Sequence, residues 1–362
     1  MATTVARQIK ADFPGAHLTW AIGYKCKQAI DNNPYVDAVW SVEYGLNELP
    51  FDVWRRTKLE AQRRQREGHF DRVYYIQLYP DNLHNFDGTT RTSIFRSYPG
   101  SITVPVPPVM RLFDQEVENV SRFAERHALR DYRNVVLFEC APASNQSSLT
   151  PTIAIRVARR VVAALKDTAF VISTHQPFSS DHPAIIDGSP LTYRENAELS
   201  KHCTLLLGCS SGITWLLTSD WAKKLPTIQF LRTGSNWFSF ASVKYDHEYL
   251  GLDVSHILET SVNDEDGMTD LIERYLQQQT FEGLPSTDFR PSVDQLYNLY
   301  RMMHGKVQLG PLWRHFSERN RTVEVSKTEF YLGVARNRLR MEVRDFLRRT
   351  ASLARRIVGR PS

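Results

Sequence analysis

The sequence predicts an α/β protein built on parallel sheets, with a helical tail. Three observations carry this: helix-like and strand-like segments alternate over most of the chain, the strand-like runs are short and apolar, and the alternation halts and restarts near residue 130. Residues 2–12 read as a helix stopped by Phe13-Pro14-Gly15, and residues 17–22 as a buried strand. A helix over residues 25–32, the break Asn33-Pro34 and a short strand over residues 38–42 follow, an order that implies parallel pairing. Residues 52–65 form a polar helix and residues 72–78 the next strand. Residues 79–110 are rich in Pro, Asp, Asn and Gly, and so long an irregular stretch in a compact domain is more often functional than incidental, so a binding loop is expected there. A helix over residues 116–126 and the polar crossing 126–134 close this half.

The pattern resumes with a strand over residues 134–139, a loop to Ser148, a helix over residues 151–166 and a strand over residues 169–173, which make one βαβ unit. A short helix over residues 194–200, a strand over residues 203–208, a helix over residues 213–219 and a strand over residues 226–230 continue it. The expected organisation is a domain over residues 1–130, a second over residues 131–290 and a helical tail over residues 291–362.

Of the 362 residues 42% are hydrophobic and 11% aromatic, which supports packed cores and excludes a disordered chain. No apolar run approaches the roughly 18 residues of a membrane span, and no basic segment followed by an apolar one opens the chain, so a cytoplasmic protein is expected. Cys26, Cys140, Cys203 and Cys209 show no C-x-x-C spacing, so neither a metal site nor a disulfide framework is expected. The net charge is +5, but residues 330–362 alone hold nine arginines against Glu342 and Asp345, which leaves the body of the chain slightly acidic. No basic stripe with interleaved aromatics runs along that body, so nucleic acid is not an expected partner.

Three segments carry candidate chemistry. In Leu205-Leu206-Leu207-Gly208-Cys209-Ser210-Ser211-Gly212-Ile213-Thr214-Trp215 a buried strand ends in a small-residue loop that opens into a helix. Backbone N–H groups, hydroxyls and the helix dipole can then converge on one anion, as a diphosphate requires, or the serines serve only as helix caps. The loop Glu139-Cys140-Ala141-Pro142-Ala143-Ser144-Asn145-Gln146-Ser147-Ser148 follows a strand of the same half, and both loops would open at the carboxyl ends of their strands. Ser144, Asn145, Gln146 and Ser147 offer hydroxyls and amides for phosphate and ribose oxygens, or turn chemistry before Pro151. Glu195 and Asn196 offer acceptors for sugar hydroxyls, while Thr192-x-x-Glu195 also reads as a capping box.

The chain resembles the heptosyltransferase-like family of GT-B glycosyltransferases in two places. In the first half the likeness runs over residues 2–7, over Phe13-Pro14-Gly15-Ala16-His17-Leu18-Thr19-Trp20, and over Asn33-Pro34-Tyr35-Val36-Asp37-Ala38-Val39. In the second half, residues 207–216 and Leu225-Pro226-Thr227-Ile228 are similar to the family's donor-phosphate helix and the strand after it. The resemblance implies two Rossmann-like domains facing a cleft. The second would bind a nucleotide-diphosphate sugar, for which the loops read above supply the candidate contacts: residues 144–147, Glu195, Asn196 and the run Ser210, Ser211, Gly212, Ile213 and Thr214. His175, just past the strand over residues 169–173, falls on the ligand side of the predicted sheet and either lines the cleft or is an ordinary loop histidine. The sugar would pass to a hydroxyl of a lipopolysaccharide, a surface polysaccharide or a related glycan, without metal or cofactor.

There are two departures from the family. Its catalytic acid precedes the helix matching residues 2–10, a place before Met1, which leaves three readings: the base lies upstream of Met1 in a longer chain, the protein is not catalytic, or Asp81, His84 and Asp87, just past the strand ending at Leu78, are the substitute base or acceptor contacts. Its first loop in the second domain often carries a Lys, whereas residues 144–148 have none, so Arg194 and Arg232 are expected to help meet the donor charge. Trp237, Phe238 and Phe240 suit stacking on a ring or plain packing. In the tail Leu332, Leu339, Phe346 and Leu353 recur every seven residues, with Ala335, Val343 and Ile357 beside them and arginines between. This predicts a long amphipathic helix that lies on an anionic inner-membrane surface, pairs in a coiled coil or packs on its own protein. Two other functions fit the same architecture: a nucleotide-sugar epimerase or hydrolase, and a non-catalytic sugar-nucleotide-binding subunit.

Overall fold

The first strand-like runs pair as the alternation predicts. β1 (Thr19–Gly23) and β2 (Ala38–Val42) form a parallel two-stranded sheet, with Thr19 opposite Ala38 and Gly23 opposite Val42. A computed structural model describes residues 1–45, 47–77, 81, 82, 85, 92–141, 146–232, 242–289, 313, 317 and 325–358. It divides into two compact units, Met1–Phe289 and Arg290–Ser362.

α1 (Ala2–Asp12) has an unusually polar buried face made of Thr3, Thr4, Arg7 and Gln8. These side chains bond the backbone of residues 103–109. The Thr4 hydroxyl donates to the Val106 carbonyl at 2.6 Å, Arg7 donates to the Pro105 carbonyl at 2.8 Å, and Thr3 and Gln8 accept from the N–H groups of Val109 and Thr103. Buried backbone must find partners. The latter part of the expected binding loop is therefore a strap held along α1.

Between β1 and β2 a 3-10 turn (Tyr24–Ile30) replaces the expected α-helix, and α2 (Pro50–Arg66) starts with proline at its first position. Residues 72–77 run extended without a ladder, although a strand is expected there. A strand is defined by a neighbouring strand that takes its N–H and C=O groups, and among the described residues no strand does so for this run; the Asn82 side-chain amide donates to the Tyr75 and Gln77 carbonyls instead. α3 (Asp114–Arg126) closes this part, with Glu116 reaching back to the Phe113 N–H at 2.7 Å.

The second half folds as a six-stranded, all-parallel sheet of β3 (Asn134–Glu139), β4 (Thr168–Ser173), β5 (Ile185–Asp187), β6 (Leu205–Gly208), β7 (Thr227–Phe230) and β8 (Ile257–Thr260). Their spatial order is β5-β4-β3-β6-β7-β8. β3 and β4 are buried along their whole length, so each reads as an apolar run rather than an alternating one. α4 (Pro151–Ala164) buries Ala154, Val157, Ala158, Val161 and Val162, the three-and-four spacing of one helix face. Its Thr150 cap accepts the Ile153 N–H at 3.3 Å. α4 packs on α8 (Glu265–Gln278), while α5 (Glu195–Leu199), α6 (Gly212–Leu216) and α7 (Val243–Tyr249) are short. The core centres on Phe138, Phe170, Leu205, Leu207, Ile228 and Phe230. The second unit contains α9 (Lys327–Val358), and within it Phe330 meets Trp313 edge-on at 5.1 Å.

Candidate functional site

β3 and β6 are neighbours in the middle of the sheet, and the chain leaves them in opposite directions, to β4 and to β7. In such sheets ligands bind in the crevice outside the carboxyl ends of the strands, at this reversal of order. The two loops singled out in the sequence leave these two strands, and they meet. The Gln146 side-chain amide donates to the Ser210 carbonyl at 3.1 Å, and the Arg232 N–H after β7 donates to the Gln146 carbonyl at 3.0 Å.

At their meeting point the protein supplies a buried carboxyl of its own. Glu139, the last residue of β3, is 1% exposed. Its carboxylate accepts the Cys209 N–H at 3.2 Å, the Thr214 N–H at 3.4 Å and the Thr214 hydroxyl. Burial pushes its carboxyl above the usual range, and the bonds from Thr214, Cys209 and Ser211 work against that rise. Ser210 takes a left-handed conformation at φ +53° and donates its N–H to Gln229 Oε1 at 2.7 Å, while its hydroxyl accepts from the Trp215 indole. Gly208 allows this closeness, since a Cβ there would lie 2.2 Å from Gln229 Nε2. Gln146 Oε1 and Gln229 Nε2, on either side of Ser210, are buried and have no hydrogen-bond partner among the described residues.

The Ser210 N–H and the N–H and hydroxyl of Thr214 thus meet the protein's own acceptors, Gln229 and Glu139. Sealed from water, the helix start needs an internal acceptor, and Glu139 is that acceptor. The outer edge differs. Ser211 and Ile213 are half-buried and Gly212 is exposed, while the exposed Tyr193 donates its hydroxyl to the Gly212 carbonyl at 3.1 Å.

The remaining expected residues separate into three sets. Gln146 lies at the loop junction as described, and Ser147 accepts the Leu149 N–H at 3.2 Å. His175 is exposed in the turn after β4, at the same end of the sheet. Glu195 and Asn196 are buried and serve the local backbone. Glu195 accepts the Thr192 N–H at 2.6 Å and donates its own N–H to the Thr192 hydroxyl at 3.3 Å, the reciprocal bonds of a capping box. The second Glu195 oxygen accepts from Asn119 at 3.0 Å, and Asn196 donates to the Thr192 carbonyl at 2.9 Å. Their hydrogen bonds thus go to Asn119 and to the start of α5. Ser144, Asn145, His84, Asp87, Trp237, Phe238 and Phe240 lie outside the described residues.

Asp81 accepts from Lys58 at 2.6 Å and from the Trp54 indole at 3.0 Å, and the bonds from Lys58 and Trp54 lower its pKa. Arg194 does not point to donor charge. Its guanidinium pairs with Glu116 at 2.7 and 3.0 Å and donates to the carbonyls of Gln28, Asp31 and Arg111. Asp220 makes a second tie, accepting from Arg7 at 2.8 Å, the Met110 N–H at 3.0 Å and Arg111 at 2.9 Å. A cleft of about 540 Å³ lined by Asn32, Asn33, Arg111 and Trp221 includes none of the expected donor residues.

Sequence reasoning passes over Glu139 and Gln229. The available signal is a charged or amide residue at or near the end of an otherwise apolar strand, as in Asn134-Val135-Val136-Leu137-Phe138-Glu139 and Thr227-Ile228-Gln229-Phe230.

No protein-family model matches the chain, and no curated protein matches it. Among solved structures the chain is similar to the glycosyl transferase family 9 structure from Veillonella parvula DSM 2008, at 13% identity over 76% of this chain and 84% of that one, with a TM-score of 0.49. It is also similar to E. coli ADP-heptose lps heptosyltransferase II, at 12% identity over 65% of this chain and 81% of that one, with a TM-score of 0.43.

Proposed function

We propose that the chain is a GT-B glycosyltransferase that moves a sugar from a nucleotide-diphosphate donor to a hydroxyl of a lipopolysaccharide, a surface polysaccharide or a related glycan. Residues 1–130 would serve the acceptor and residues 131–290 the donor. The observation that carries this reading is the convergence of the loops after β3 and β6 outside the reversal point of a parallel sheet, with the edge at Ser211, Gly212 and Ile213 left open. In this reading the departing diphosphate lies against the Ser211 hydroxyl and the N–H groups of Gly212 and Ile213. Glu139 holds the turn from inside before any ligand arrives, so the donors need no reorganisation as charge develops on the leaving group. Gln146 and His175 border the donor, and the chemistry proceeds without metal.

Asp81 is the candidate base among the described residues. Lys58 and Trp54 hold it ionised and lower its proton affinity, which suits proton transfer that comes late, as the new bond to the sugar forms. The test is release of nucleoside diphosphate from a panel of nucleotide sugars, with and without a glycan acceptor. Acceptor-dependent release that falls at least about tenfold in Asp81→Asn, with nucleotide affinity unchanged, supports transfer. Acceptor-independent release supports a hydrolase or epimerase, and binding without release supports a non-catalytic subunit.

A further inference from the structure

α9 spans 32 residues, Lys327–Val358, or about 48 Å of helix. Among the described residues no helix is long and apolar enough to cross a membrane, α9 included. Of the three uses that the heptad reading leaves open, packing of the stripe on its own protein is not what the described residues show, for there the stripe faces outward. Leu332 is 57% exposed, Leu339 65% and Phe346 65%, with Val343 and Leu347 exposed beside them. The buried residues are instead Phe330, Val334 and Asn337, on the other side of the helix. At about 100° per residue the five exposed apolar positions share an arc of roughly 100°. A stripe this wide exceeds a two-position coiled-coil seam.

Charge decides what covers it. Arg336, Arg340 and Arg344 recur at four-residue spacing in a row that starts within the stripe, between Val343 and Leu347, and leaves it on one side, all three exposed and without a carboxylate partner among the described residues. On the other flank Arg338 is already paired with Glu342 at 3.0 Å. Over the whole helix Lys327 and eight arginines face Glu329, Glu342 and Asp345, an excess of six positive charges. A second copy laid on the stripe would bring two such excesses together. An anionic surface neutralises the unpaired arginine row while the apolar stripe enters the acyl boundary and the long arginine stems reach back to the headgroups.

We infer that α9 docks the protein on anionic lipid bilayers, lying in the interface plane with Leu332, Leu339, Val343, Phe346 and Leu347 inserted and the row Arg336, Arg340 and Arg344 against lipid phosphates. The inference stands apart from the nucleotide-sugar reading, since it concerns lipid binding without any nucleotide. It places the chain where a lipid-linked acceptor would lie.

The experiment is cosedimentation of the full chain with phosphatidylcholine vesicles and with vesicles carrying about one third phosphatidylglycerol. The expected result is at least tenfold stronger partition to the anionic vesicles, weakened by 0.5 M salt. Two variants separate the terms. Leu339→Glu/Phe346→Glu should abolish binding, and Arg336→Gln/Arg340→Gln/Arg344→Gln should bring anionic binding down to the neutral level. These positions are exposed, so an unchanged thermal unfolding curve establishes that the variants fold. Equal partition to both vesicle types, no partition to either, or a dimer in sedimentation velocity that Leu339→Glu/Phe346→Glu dissolves would each overturn the inference.

Discussion

Arg194→Met should be among the most damaging single substitutions in the chain. The Arg194 side chain is 4% exposed and that of its partner Glu116 is 16% exposed. Together with Glu116, the carbonyls of Gln28, Asp31 and Arg111 draw the guanidinium into three separate segments of the first half. Methionine retains most of the side-chain volume but leaves a carboxylate unpaired and three carbonyls without their donor. Breaking a buried ion pair from one side costs about 3–5 kcal/mol, and the stranded carbonyls place the expected loss near the upper end of that range. Arg194→Lys should recover little, because one ammonium cannot span the carboxylate and three carbonyls that a planar fork reaches. The assay is urea unfolding with linear extrapolation, run as a double-mutant cycle with Glu116→Gln, in which a coupling of at least about 1.5 kcal/mol is expected. A loss below about 1 kcal/mol for Arg194→Met, or an additive cycle, would refute the view that this cluster clamps the first half onto α5.

Two further outcomes follow from buried groups at the carboxyl end of the sheet and in the core. Burial raises the Glu259 carboxyl to about 7 against the bonds from Ser242, Lys244 and Val243, so the folded state keeps a proton that the unfolded chain has lost. Stability from this group therefore falls as pH rises from about 4.5 to about 7, by roughly 3 kcal/mol, and Glu259→Gln should flatten that part of the urea-midpoint profile. Cys26 is exposed, while Cys140 and Cys203 are buried with thiols pushed up to about 12, and the buried Cys209 thiol is raised as well. A disulfide reagent should accordingly titrate one thiol quickly in the native protein and four in denaturant.

The sheet of the second half is legible because its strands are buried on both faces, so each stands out as an apolar run between polar loops. The short β5 at Ile185–Asp187 does not, since three residues carry no periodicity. β8 and the helices α7 and α8 also pass without a sequence-based assignment. The expectation of a strand over residues 72–78 comes from side chains alone, and residues 72–77 show that β-rich composition does not supply a ladder partner. At the site, the sequence singles out the two loops that the structure brings together, but not the internal acceptors Glu139 and Gln229 that take their inner groups. The spacing of Thr192 and Glu195 already contains the capping box that claims Glu195. That Glu139 fills the turn after β6 depends on a contact between residues about 70 positions apart, and no local pattern encodes such a contact.

The account turns on whether the open edge at Ser211 and Gly212 receives a nucleotide diphosphate. Calorimetric titration with ADP, UDP, GDP and CMP, on the native chain and on Ser211→Asp, addresses this directly. The account predicts selective binding of one nucleotide and at least a tenfold loss, about 1.4 kcal/mol, when the added carboxylate faces the diphosphate, with thermal unfolding unchanged. A folded protein that binds none of the four, or one whose binding is indifferent to Ser211→Asp, would contradict it.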